Sequence, residues 1–200
     1  MHEIENQKST YPSIIAGLSA GLACAGFIFL LGGGLPEVIC AFFGASVGNY
    51  VRSIMGKRKI TLVAKIAVAV AVACAVYFIC FHIGMILFHL DYHHAYGYIG
   101  AMLFVIPGFP FITSGLDMSK LDMRSGLERL TYAILIIIIA TMAGWAVATI
   151  LNLHPGSMLR LKIDPGMLTF LRLIASFCGV FGFSIMFNSR PPMAATAAIM

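Results

Sequence analysis

The stretch "VIPGFPFITSGLDMSKLDMRSGLERLTYA", residues 105–133, decides how the chain is read. It opens as apolar sequence and breaks at Pro107 and Pro110. It then carries Asp117, Lys120, Asp122, Arg124, Glu128 and Arg129 before apolar sequence resumes. The apolar runs around it are about 20 residues long, the length of a helix that crosses a bilayer, and not the alternating segments of a barrel. Of the 200 residues, 60% are hydrophobic and 10% charged, whereas a soluble domain is about a quarter charged. So few charges cannot cover that much apolar surface in water. The expected fold is an all-α integral membrane protein. It is a polytopic bundle of about six transmembrane helices, with a broken fourth helix and an amphipathic charged segment after it.

Working outward, the spans fall at 12–31, 36–54, 60–82 (extending toward 90), 98–112, 130–151 and 167–187. Gly17 and Gly21 form a G-x-x-x-G pair in the first span, a spacing that lets another helix approach closely. Gly32, Gly33 and Gly34 break the chain before Pro36, and Glu37 then sits at the positive end of the second helix. The layout expected is a short cytoplasmic segment 1–11, a five-helix membrane half 12–152, an extracytoplasmic loop 153–165, and the first helix of an incomplete second half in 166–200. The proline-rich turn after Asn188 leads into an Ala-rich run that reads as a further helix, with the chain ending inside it. Lys and Arg fall mostly on one side of these spans, so the N-terminus is expected inside. The five cysteines, Cys24, Cys40, Cys74, Cys80 and Cys178, all lie in apolar runs and read as small buried hydrophobes. The net charge of +5 reflects inner-face Lys and Arg, and no basic stripe interleaved with aromatics suggests nucleic acid.

On a single helix over 114–129, Leu116, Met123 and Leu127 share one face, while Asp117, Arg124 and Glu128 cluster on an adjoining one. Ser114 then suits a cap, with Asp117 three residues on. One reading is an interfacial helix with a solvated charged face. The other starts from the Pro107-Gly108-Phe109-Pro110 break. Broken helices in membranes free backbone groups, and transporters place such breaks at solute sites. A zwitterion needs partners of both signs, which this segment offers if it faces a watery cleft. Pro107, Gly108, Asp117, Lys120, Asp122, Arg124 and Glu128 are therefore transport-path candidates. Glu37 and His82 are further groups that could titrate during a cycle.

At these residues the chain resembles the threonine/serine exporter family of bacterial inner-membrane proteins. The resemblance rests on "PGFPFITSGLDMSKLDMRSGLERLTYA", with "SIMFNSRPPMAATAAI" and "FIFLLGGG" adding to it. It implies export of threonine and serine driven by the proton motive force, by ten helices in two five-helix halves on one or two polypeptides. Pro107, Gly108, Asp117 and Asn188 match the family's pattern. "FIFLLGG" at 27–33 and "FSIMFNS" at 183–189 look like one position in two repeats. Many members carry a soluble domain ahead of the first span, where a short polar segment stands here.

The expected function is thus a transporter, or transporter half, in the bacterial inner membrane. Its partners would be small amino acids, protons, the lipid bilayer, and either further copies of itself or a second-half polypeptide. No cofactor, metal or nucleic acid is expected. The alternative is a non-transporting accessory subunit that packs with a second polypeptide. An enzymatic reading would put a metal at His82, His89, Asp91, His93 and His94, but no H-E-x-x-H base accompanies them. The glycine-rich "LLGGGLP" lacks the Lys-Ser/Thr that would address a phosphate, so it reads as a break between spans.

Overall fold

The computed structural model describes residues 11–58, 60–88, 97–152 and 164–200. These residues are all helix and connection. The helices are α1 (Ser13–Leu30), α2 (Leu35–Lys57), α3 (Leu62–Phe88), α4 (Gly97–Ala101), α5 (Gly108–Ser119), α6 (Met123–Ile150), α7 (Pro165–Met186) and α8 (Pro191–Ile199), with a 3-10 turn at Leu103–Val105. Among the described residues, α1, α2, α3, α6 and α7 are long and apolar enough to cross a membrane. The segment from Gly97 to Val105 and α5 are together apolar enough to cross as well, and meet at a bend of 56°, the shape of a broken span or a re-entrant loop. The break lies at Pro107, which removes a donor and cannot continue the helix.

α1 is the hub, packed between α2 and α7. Its small residues are what allow this. A Cβ on Gly17 would sit 2.8 Å from Ser46 O, and one on Gly21 would sit 2.6 Å from Phe42 O and against Ser46 Oγ. The G-x-x-x-G pair thus has a definite partner, α2. On its other face α2 repeats the device against α3, where Gly44 and Gly48 come within 2.8 Å of Ala73 O and 2.9 Å of Ala69 O by the same measure. Ala20, Cys24, Ala41, Ala45, Ala69, Ala73 and Cys74 fill the space between. Cys24, Cys40 and Cys74 are buried and all five cysteines are unbridged, as their apolar setting suggests.

One expectation is corrected. Residues 114–129 are not a single amphipathic helix. α5 stops at Ser119 and α6 starts at Met123, seven residues before the expected start of the span at 130. Between them Leu121 takes a left-handed conformation with φ 65°. Leu121 N–H donates to Met118 O and Asp122 N–H to Asp117 O, at 3.0 Å each. This is a Schellman cap with leucine where glycine is usual. Ser114 does not cap a helix. It lies inside α5, and its hydroxyl donates to Gly126 O of α6 at 2.7 Å, closing a tight α5–α6 hairpin. Periodicity could not show this, because the turn interrupts a pattern that reads as continuous.

Gly21→Val should push α1 off α2 and cost roughly 1–3 kcal/mol, read as a lower melting midpoint in detergent. Leu121→Gly should instead raise that midpoint. It relieves a left-handed non-glycine residue, worth about 1 kcal/mol, and Leu121 is exposed and contributes little packing. A fall would show that the leucine side chain anchors the hairpin.

Candidate functional site

Along α2, Asn49, Arg52, Ser53 and Gly56 fall at i, i+3, i+4 and i+7, one face of a helix. That face turns inward where α1 and α3 begin and α7 ends. Around it lies a cavity of about 400 Å³. Tyr11, Asn49, Arg52, Ser53, Lys65 and Asn188 supply polar groups to its wall, and Tyr132 and Ile136 of α6 complete it. Among the described residues, none that lines it is acidic.

Four of the polar wall groups, Asn49, Ser53, Arg52 and Tyr11, are held by a bond to a neighbouring element. Asn49, 2% exposed, donates from Nδ2 to Ala16 O at 2.7 Å, so α1 fixes its rotamer. Ser53 Oγ donates to Ser13 Oγ at 3.0 Å. Arg52 Nη1 donates to Phe104 O at 3.2 Å, and its guanidinium carbon lies 5.5 Å from the Phe104 ring centroid. The 3-10 turn before the Pro107 break therefore positions the arginine, and the remaining guanidinium N–H groups are available to an anion. Tyr11 Oη donates to Ser189 O at 3.0 Å and ties the start of α1 to the end of α7. A half-buried arginine with spare donors, a lysine and several neutral polar groups are suited to grip a carboxylate, since guanidinium pairs with it in two parallel bonds.

The residues singled out from sequence are spread over three places. Asn188 lines the cavity and also closes α7, at φ 68°. Glu37 is buried near the opposite end of α2, where its Oε2 accepts from Gly34 N–H at 3.0 Å. Pro107, Gly108, Asp117, Lys120, Asp122, Arg124 and Glu128 belong to the α5–α6 hairpin and line none of this cavity. Asp117 pairs with Arg129 Nη1 at 2.9 Å. Arg124 pairs with Glu128 at 3.3 Å on an exposed helix face. Lys120 and Asp122 sit in the turn, with Asp122 Oδ1 accepting from Ser125 N–H at 3.3 Å as the cap of α6. Tyr132 lies on α6 eight residues after Arg124 and four after Glu128, so these two stand about 12 Å and about 6 Å along that helix from the cavity wall.

His82 stacks on Phe78 at 5.9 Å. The other residues of the supposed metal cluster, 89, 91, 93 and 94, lie outside the described residues, among which no His, Cys, Asp and Glu group could hold a metal. What the sequence reading missed is Arg52, Asn49, Ser53, Lys65, Tyr11 and Tyr132. Arg52 and Lys65 pass for ordinary inner-face charges. The available signal was the polar stripe at 49, 52, 53 and 56.

The sequence matches the family described as "Putative threonine/serine exporter" over residues 1–152. Among curated proteins it is 28% identical over 149 residues to the "Probable succinate transporter subunit YjjP" of Escherichia coli, covering 74% of this chain and 50% of that protein. The Klebsiella aerogenes protein of the same description is 26% identical over 143 residues, covering 72% of this chain and 48% of the relative. The chain spans about half the length of the curated relatives it matches. No solved structure matches it.

Hydrogen bonds from Ser125 hold the Asp122 carboxyl below its usual value of 3.8. A lowered folded-state pKa contributes stability that is full above the unfolded value and is lost as pH falls through the folded one. Asp122→Ala should therefore lower the melting midpoint at neutral pH, and the gap to wild type should close as pH falls below about 4. A gap that stays constant with pH would mean that the capping carboxylate is not its source.

Proposed function

This chain belongs to the threonine/serine exporter family, and on that footing we propose that it is a transporter subunit that carries small carboxylate-bearing solutes across the bacterial inner membrane. The observation that carries this reading is the cavity at Arg52. An ionisable residue inside a span is costly and is kept where it lines a path or meets a partner. Arg52 has both a backbone anchor in Phe104 and spare donors toward the cavity.

The choice of solute turns on charge. Two cations, Arg52 and Lys65, with no acidic side chain among the described wall residues favour a dicarboxylate of succinate's size. The relatives' description as probable succinate transporter subunits agrees with this. The family's own description favours threonine and serine. For that reading, Arg52 takes the amino acid carboxylate, and the Tyr11, Ser53 and Asn188 oxygens accept from its ammonium and hydroxyl. The end of the bundle that carries Arg52, Lys57, Arg58, Lys65 and Arg190 faces the cytoplasm, as expected from the distribution of positive charge. Asp117, Lys120, Asp122, Arg124 and Glu128 then form a cytoplasmic vestibule that solute meets before the cavity. Glu37, buried at the far end of α2, is the carboxylate best placed to couple transport to protons. The second polypeptide named by the word "subunit" in the relatives completes the path.

Everted vesicles carrying the chain, alone and with a candidate partner subunit, test the reading. Arg52→Gln should weaken solute uptake at least roughly thirtyfold, because it removes one partner of a buried charge pair. Lys65→Gln should harm succinate uptake more than threonine uptake if the dicarboxylate is the substrate, and both alike if it is not. Unchanged uptake in Arg52→Gln would remove the cavity from the pathway.

A further inference from the structure

The turn between α2 and α3 carries positive charge that no described residue neutralises. Between Glu37 and Asp91 the sequence holds five cations, Arg52, Lys57, Arg58, Lys59 and Lys65, and no acid. Arg52 turns inward to Phe104 O, and Lys59 lies outside the described residues. Lys57 and Arg58 close α2 and are exposed, while Lys65 stands in the first turn of α3. A Cβ on Gly56 would lie 4.0 Å from Lys65 Cδ. The lysine stem therefore runs beside the end of α2, and the three side chains gather at one turn. Among the described residues no acid pairs with any of them, and the ion pairs of the α5–α6 hairpin are made elsewhere. Glu37, at the other end of α2, is about 30 Å away. Helix dipoles do not neutralise the cluster either. The end of α2 contributes about −0.5 of a charge and the start of α3 about +0.5, and these cancel.

The turn also sits at the depth of lipid headgroups. α3 has 27 residues, about 40 Å of helix against a hydrocarbon layer of about 30 Å. Its first turn therefore stands beyond the hydrocarbon, and Lys57 and Arg58 stand with it. The surroundings are apolar. Ile60 is 38% exposed and Val63 52%. Below Lys57, on the same face of α2, Tyr50 and Val47 are each 38% exposed. Cations above an exposed apolar stripe match the two parts of a phospholipid, a phosphate at the surface and acyl chains beneath it. The α5–α6 hairpin lacks this combination. Its Lys120 and Arg124 stand in sequence among Asp117, Asp122 and Glu128, and Arg124 is paired with Glu128.

We propose that Lys57, Arg58 and Lys65 form a binding site for the headgroup phosphate of an anionic phospholipid, whose acyl chains lie along Val47, Tyr50 and Val63. Each cation close to an anionic lipid surface strengthens the attraction about fivefold, so three at one turn hold a lipid that one would not. Lys65 also lines the solute cavity, so the headgroup stands at the cavity's rim. Lys57 and Arg58 line none of that cavity. The lipid site depends on neither the identity of the solute nor the direction in which it moves.

Titration of phosphatidylglycerol into the full chain in neutral detergent, with bound lipid counted by native mass spectrometry, tests this. Half-saturation should come at a concentration at least roughly tenfold below that for phosphatidylcholine. Lys57→Gln with Arg58→Gln should raise that concentration roughly thirtyfold, two cations at about fivefold each. Both side chains are exposed, so the melting midpoint without lipid should stay where it is. The charge-keeping Lys57→Arg should bind lipid as the wild type does, and lost binding there would overturn a site built on charge. Lys120→Gln with Arg124→Gln should leave lipid binding unchanged. Equal weakening by the two pairs would mean a diffuse attraction to one end of the bundle, and would overturn the site. So would the absence of any preference over phosphatidylcholine. Inorganic phosphate at millimolar concentration should fail to displace the lipid. Displacement would make the turn a site for the free anion and overturn the lipid assignment.

Discussion

Everything in this bundle depends on how closely α1 lets its neighbours approach. Helices in lipid gain little from hiding apolar side chains, since the tails around them are equally apolar. What holds them is dispersion between surfaces in contact, which falls off within an ångström of separation. Gly17 and Gly21 admit α2, and Gly26 admits α7. A single side chain at any of these positions would strike backbone or a buried neighbour. α1 can therefore carry two partners at backbone distance, and the rest of the chain is arranged around that pair of contacts.

The polar end of the bundle follows from the same packing. With α1 and α2 so close, Asn49 reaches Ala16 O and Ser53 reaches Ser13. These bonds also keep α2 from rotating, so Arg52 faces inward and meets Phe104 O. A long cationic side chain near a span end would otherwise extend to the water. The short 3-10 turn ahead of Pro107 supplies the carbonyl, that of Phe104, that retains it. The helix break thus matters to the cavity through the backbone before it, while after it Asp117 pairs with Arg129 and Arg124 with Glu128 in the hairpin.

Much of the fold was legible in sequence. Long apolar runs, the Gly32 to Gly34 break and the prolines at 36, 107 and 192 mark helices and interruptions, and α1, α2, α3 and α7 lie close to where these signals place them. The hairpin was not legible. Its turn uses Leu121 in a glycine conformation, and a leucine within an amphipathic pattern reads as one more helical residue. The site was only partly legible. Asn188 and Glu37 stand out as polar groups in apolar surroundings, and both have defined places in the structure. Arg52 and Lys65 carry the positive charge that any inner-face loop carries, so composition cannot separate them from Lys57 and Arg58.

By itself the sequence determined that this chain is a set of membrane helices, where most of them start and stop, and which faces can be approached closely. Those are local properties, written in hydropathy, helix period and the residues that end helices. The tertiary structure alone decided which helix fills each glycine face and that Arg52 turns to a carbonyl 52 residues away. Such choices depend on surfaces brought together through space, and many pairings of apolar helices satisfy the same local pattern until backbone contact distances select one.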